Sequence, residues 1–90
     1  MDIADATFVV TDLETTGTTP DDDRIMEIGA VKVRDGSVVD RFQQLVNPQQ
    51  SVPGRITKMT GITTGMVFEA PPADEVLPDY RAFLGDGILV

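Results

Sequence analysis

The stretch Thr7-Phe8-Val9-Val10-Thr11-Asp12-Leu13-Glu14-Thr15-Thr16-Gly17 decides how this chain folds. Its first half is β-branched and aromatic, the composition of a strand that packs against pleated neighbours. The pattern predicts a buried strand over Thr7–Glu14. Side chains alternate across a strand, so Asp12 and Glu14 share one face with Cα atoms about 6.5–7 Å apart. Two carboxylates beside an apolar strand repel each other and lose hydration, so they call for a counter-charge. All-oxygen donors suit hard divalent cations, Mg²⁺ or Mn²⁺. Two such ions about 3.5–4 Å apart can activate a water and stabilise the leaving oxygen of a phosphodiester. A bare Asp-x-Glu also marks, more commonly, a strand that simply runs out into solvent. Thr15-Thr16-Gly17 offers hydroxyls and pliable backbone for contact with a sugar or phosphate.

Downstream, Thr15 to Asp23 reads as a loop broken by Gly17 and Pro20. Arg24–Val33 is predicted as a second strand, Arg34-Asp35-Gly36-Ser37 as a hairpin turn, and Val38–Val46 as a third strand closed by Asn47-Pro48. The three make an antiparallel meander. Pro53–Gly61 predicts a short helix with Ile56 and Met59 three apart, and Thr63–Phe68 a further helical turn. Asp74 is expected to cap a longer helix reaching Leu84, since Val76, Leu77, Tyr80, Phe83 and Leu84 follow the i, i+3, i+4, i+7 rule. Pro78 would then fall in the opening turn, where its missing N–H costs least. Gly85 and Gly87 stop that helix, and Ile88-Leu89-Val90 starts a fourth strand.

Composition narrows the chemistry. The 90 residues include no Cys and no His, which excludes disulfides, Cys-based zinc sites, a Cys nucleophile and a Ser-His-Asp triad. Acids outnumber bases 15 to 7, for a net charge of −8, so a sequence-independent phosphate binder with a basic footprint is not indicated. An Asp-rich surface with only Lys32 and Lys58 as lysines suits solvation, even in concentrated salt. Carboxylate-held cations facing phosphates need only two to four of those acids. The acidic start Met1-Asp2-Ile3-Ala4-Asp5 is unlike a signal peptide, and no apolar run is long enough to span a bilayer. The expected location is cytoplasmic, with no membrane partner.

Taken together, Thr11-Asp12-Leu13-Glu14-Thr15-Thr16-Gly17 resembles the first exonuclease motif of the DnaQ-like (DEDD superfamily) 3′–5′ exonucleases, the family of the proofreading subunit and domain of bacterial replicative polymerases. Arg24–Val33 resembles that family's second strand. Leu45-Val46-Asn47-Pro48, Thr60-Gly61-Ile62-Thr63 and Ala70-Pro71 follow in the family's order, so the likeness runs along the whole chain. The resemblance implies an α/β, ribonuclease-H-like fold: a three-stranded antiparallel meander, a crossover helix, and the start of a fourth strand parallel to the first. It implies a 3′–5′ exonuclease acting on a single-stranded 3′ end of DNA, in a DNA polymerase III epsilon-type protein with a polymerase subunit or fused polymerase domain as partner. RNA trimming is the alternative within the family, and a non-catalytic module that only binds a partner is the alternative outside it.

Carried over residue by residue, Asp12 and Glu14 match the first two metal-binding, catalytic carboxylates, for two Mg²⁺ or Mn²⁺ ions per complete site. Thr15, Thr16 and Gly17 match the segment that contacts the 3′-terminal nucleotide, and Met59 an apolar position near the terminal base. Glu27, alone in an apolar strand, either supports the site from behind or pairs with an arginine. Asp21-Asp22-Asp23 fits no calcium loop and reads as a solvated turn. Thr60 stands where many members carry His. The family's third carboxylate follows a run like Gly87–Val90, and its general base and fourth carboxylate come later still. The 90 residues are therefore expected to form the N-terminal part of one exonuclease domain. Alone they should be inactive, with a sheet face left uncovered and a tendency to self-associate.

Overall fold

The computed structural model describes residues 5–19 and 21–90. Met1–Ala4, used above to judge the N-terminus, and Pro20, used as a loop breaker, lie outside the described residues. Three long strands come first: β1 (Thr7–Thr15), β2 (Ile25–Arg34) and β3 (Ser37–Leu45). Three helices follow, α1 (Gly54–Thr60), α2 (Thr64–Phe68) and α3 (Ala73–Leu84), and then β4 (Ile88–Leu89).

β1 pairs antiparallel with β2, and β2 with β3, which is the expected meander. The β2–β3 turn holds Asp35 and Gly36 at φ 50° and 75°. Two residues in left-handed conformations are what a tight Asp-Gly hairpin needs to match strand twist. β4 lies on the other side of β1 and runs parallel to it, with Phe8 beside Ile88 and Val9 beside Leu89. The strand order β3-β2-β1-β4 makes β1 central. This is the ribonuclease-H-like arrangement that the family resemblance implied.

The cross-strand register sorts the two faces. One face carries Val9, Thr11, Ala30, Ile28 and Phe42. α3 lies over it: Val76 buries against Ile28 and Val46, with Ile25, Phe42, Ala73 and Tyr80 around them. The Tyr80 hydroxyl meets Thr11 Oγ1 at 2.6 Å, and Phe42 packs edge-on against Tyr80 and tilted against Phe83. Lys32 Nζ sits 4.6 Å above the Phe83 ring. A second cluster of Met26, Val52, Ile56, Ile62 and Val67 secures α1 and α2 to the end of β2. Gly87 is needed where α3 returns to the sheet, because a Cβ there would lie 2.7 Å from the buried Val9 Cγ2.

The opposite face carries Phe8, Val10, Asp12 and Glu14 from β1 with Val33, Val31, Gly29 and Glu27 from β2. Val10 there is 47% exposed. Ile28 is on the covered face and buried. No helix among the described residues is long and apolar enough to cross a membrane.

The start of α3 departs from expectation. Asp74 is not the cap. Pro72 takes that place, in an extended conformation with no side-chain cap bond, and Asp74 and Glu75 sit in the first turn, where carboxylates complement the positive end of the helix dipole. Pro78 consequently lies inside the helix rather than in its opening turn, and the Asp74 carbonyl loses its i+4 donor. Asn47 explains the shift. Its N–H binds the Pro71 carbonyl at 2.8 Å and its side-chain amide donates to the Phe68 carbonyl at 3.2 Å, which fixes the approach to α3 with the cap two residues ahead of Asp74.

Candidate active site

Asp12 and Glu14 project from the central strand on the face that α3 leaves free. Asp12 is exposed and Glu14 half-buried. The residue across from Asp12 on β2 is Gly29, where a Cβ would meet nothing closer than the Asp12 carbonyl at 3.9 Å. The missing side chain leaves an open groove of about 340 Å³ beside Asp12, floored by Val10 and Val31 and bordered by Arg41 and Gln43.

Glu14 lies directly across from Glu27. Like charges in that relation repel, and Glu27 accepts a hydrogen bond from Gln43 Nε2 at 3.1 Å. Glu27 therefore pairs with an amide rather than with an arginine. It also faces a second groove, lined by Leu45, Thr60, Gly61 and Met66 at the α1–α2 junction. Gly61 ends α1 at φ 79°, with its N–H on the Thr57 carbonyl. Met59 on α1 is 79% exposed, an apolar side chain left available at the surface.

The β1–β2 ladder shifts register between Glu14 and Thr15, so the two carboxylates end the regular pairing and the next three residues obey other constraints. Thr15 Oγ1 donates to the Gly17 carbonyl. Thr16 is wholly buried. Its hydroxyl accepts from the Arg24 N–H at 3.0 Å and reaches Asp23 Oδ1 at 3.0 Å and Gln50 Oε1 at 3.1 Å. That side chain is committed to the loop, so of the three residues matched to nucleotide contact, Thr15 and Gly17 remain at the surface. Asp23 is not a solvated turn residue: it also accepts from the Thr19 N–H at 2.7 Å. Asp21 and Asp22 are exposed. Sequence reasoning missed Gln43, Asp23 and Gln50. The nearest signal was Gly17, where a Cβ would stand 2.7 Å from Asp23 Cγ.

A family model for exonucleases of the RNase T type matches residues 9–90. The chain belongs to this exonuclease family. A Mycobacterium tuberculosis (strain CDC 1551 / Oshkosh) protein named as a bifunctional exonuclease/endonuclease is 54% identical over 96 residues, covering all of this chain and 15% of that protein. The PolC-type DNA polymerase III of Clostridium perfringens (strain 13 / Type A) is 48% identical over 86 residues, 96% of this chain and 6% of its own length. Among solved structures, the nuclease domain of 3′hExo, a DEDDh family member bound to rAMP, superposes with a TM-score of 0.80 at 25% identity. That match covers 93% of this chain and 46% of that one. Exonuclease X in complex with 5′ overhanging duplex DNA gives 0.72 at 32% identity, covering 81% and 42%. This exonuclease chain thus spans less than half the length of each of these relatives.

Proposed function

We propose that these 90 residues form the first part of a single exonuclease domain that removes nucleotides from the single-stranded 3′ end of DNA, within a larger cytoplasmic protein of the DNA polymerase III epsilon or PolC kind. The observation that carries this reading is the placement of Asp12 and Glu14 on one face of the central strand, the face left open beside a groove. Their oxygen donors fit Mg²⁺ or Mn²⁺. Among the described residues no three acids converge on one point. Such ions keep most of their waters unless several ligands converge, so Asp12 and Glu14 supply part of a two-metal shell. The remaining ligands and the general base belong to the further length that the relatives possess. When bound, the ions would supply water activation and leaving-oxygen stabilisation. In this chain, Thr15 and Gly17 border the carboxylates to meet the terminal nucleotide, Met59 offers an apolar surface to its base, and Glu27, held by Gln43, shapes the flank of Glu14.

The test uses the full-length protein, Mn²⁺ and a 5′-labelled single-stranded DNA. A ladder shortened stepwise from the 3′ end is expected, abolished by Asp12→Ala and absent from the isolated 90 residues. Internal cuts, or trimming that survives Asp12→Ala, would overturn the reading. The rAMP held by the 3′hExo nuclease domain favours RNA as the second reading. A matched RNA strand decides it: faster trimming of RNA reassigns the substrate. A full-length protein that cleaves neither strand is a binding module.

A further inference from the structure

Beyond the carboxylates, the loop that follows them is tied down in an unusual way. Thr16 is 0% exposed, and its hydroxyl stands between the Arg24 N–H, the Asp23 carboxylate and the Gln50 side-chain carbonyl. A hydroxyl has one proton to give, so Asp23 and Gln50 share it. The Thr16 N–H binds the Arg24 carbonyl at 2.9 Å, which closes both sides of the loop on one residue. Gln50 reaches across from the segment after β3, and its amide donates to the Asp22 carbonyl at 2.9 Å. The second Asp23 oxygen holds the Thr19 N–H. Gly17 completes the arrangement, because any side chain there would occupy the place of the Asp23 carboxylate.

We propose that Thr16, Asp23 and Gln50 form a clasp that positions the Thr15–Gly17 turn for the 3′-terminal nucleotide. The proposal rests on the function proposed above. These are positioning residues, since Thr16 is turned inward and acts through its neighbours. The register shift between Glu14 and Thr15 matters to the expected effect. Asp12 and Glu14 are held by the regular ladder to β2, while Thr15–Gly17 depend on the clasp. Loosening the clasp therefore moves the nucleotide contact and leaves the carboxylates in place. Substrate binding should weaken much more than turnover.

The test takes the full-length protein with Thr16→Val, which keeps shape and removes the hydroxyl, Asp23→Asn, and Thr16→Ser, which restores the hydroxyl. On a single-stranded oligonucleotide with a free 3′ hydroxyl, Thr16→Val should raise KM about tenfold or more with kcat within about threefold. Asp23→Asn should move KM in the same direction, and Thr16→Ser should return it to within about twofold of the parent. Mn²⁺ affinity should hold in all three. Hydrogen exchange should quicken over residues 16–24 in Thr16→Val and stay unchanged over Thr7–Leu13. An unchanged KM in Thr16→Val, or Mn²⁺ affinity falling in step with KM, overturns the clasp. If the parent protein cleaves nothing, the functional reading falls by that result alone. Unchanged exchange in Thr16→Val would separately dispose of the clasp.

Discussion

Replacing one methyl by a hydroxyl, Val10→Thr, is expected to weaken self-association of the isolated 90-residue chain about tenfold. The face of the sheet opposite α3 presents Phe8, Val10, Val31 and Val33, joined at the edge by Ile88 beside Phe8. Val10 and Ile88 remain 47% and 42% exposed. Fully burying such a side chain is worth about 1.5–3 kcal/mol, so leaving several half-wet forfeits an amount comparable to the stability of a small domain. Two copies meeting through this face would recover it. In a two-fold interface every residue counts twice. A methyl-sized loss of about 0.8 kcal/mol becomes about 1.6 kcal/mol, or roughly tenfold in Kd. Sedimentation velocity across a dilution series reads the shift. Phe68→Gln serves as the control, since Phe68 is 76% exposed but stands on α2, outside the sheet. A monomer at every concentration, with strongly protected amides over Thr7–Thr11, would refute this reasoning. Dissociation caused by Phe68→Gln and not by Val10→Thr would refute it as well.

Other expectations concern the site and α3. The isolated chain should bind Mn²⁺ with affinity of millimolar order at best, lost in Asp12→Ala and Glu14→Ala by titration calorimetry. In the full-length protein, Asp12→Ala should slow trimming by at least about three orders of magnitude. Gly17→Ala must displace the Asp23 carboxylate from Thr16 and Thr19, bonds to a charged group worth about 1.5–3 kcal/mol each when lost. Exchange over residues 16–24 should rise accordingly, and Asp23→Ala in the same background should add little further. Pro78→Ala restores an N–H facing the Asp74 carbonyl, so α3 should gain about 1–3 kcal/mol, seen as slower amide exchange in that helix. Faster exchange there would show that the ring packs in a way the helix needs.

The strands were legible because each carries its own local code. Thr7–Glu14 was anticipated and Thr7–Thr15 is observed, and Asp35-Gly36 fixed the hairpin through backbone that few other pairs adopt. Alternation alone placed Asp12 and Glu14 on one face. What sequence did not reveal were partners chosen by the fold. Asp74 satisfies every local rule for a cap, yet Asn47, far along the chain, anchors Pro71 and moves the helix start. Glu27 finds Gln43 only because β3 lies beside β2. Asp23 sat in a run of three acids that reads as solvent-facing, and its tie to Thr16 has no spacing signature.

The parallel pairing of β4 with β1 has a consequence for how the molecule assembles in time. β1, β2 and β3 are consecutive in the chain, joined by connections of nine and two residues, and can zip together while the rest of the chain is still being made. The contact of Phe8 with Ile88 closes a loop that contains nearly the whole chain, and such closures cost the most entropy before they yield any contact. The strand that holds Asp12 and Glu14 therefore gains β2 as a neighbour early and β4 only after α1–α3 have been made. Until β4 arrives the carboxylate-bearing strand is an edge, open to any extended segment nearby.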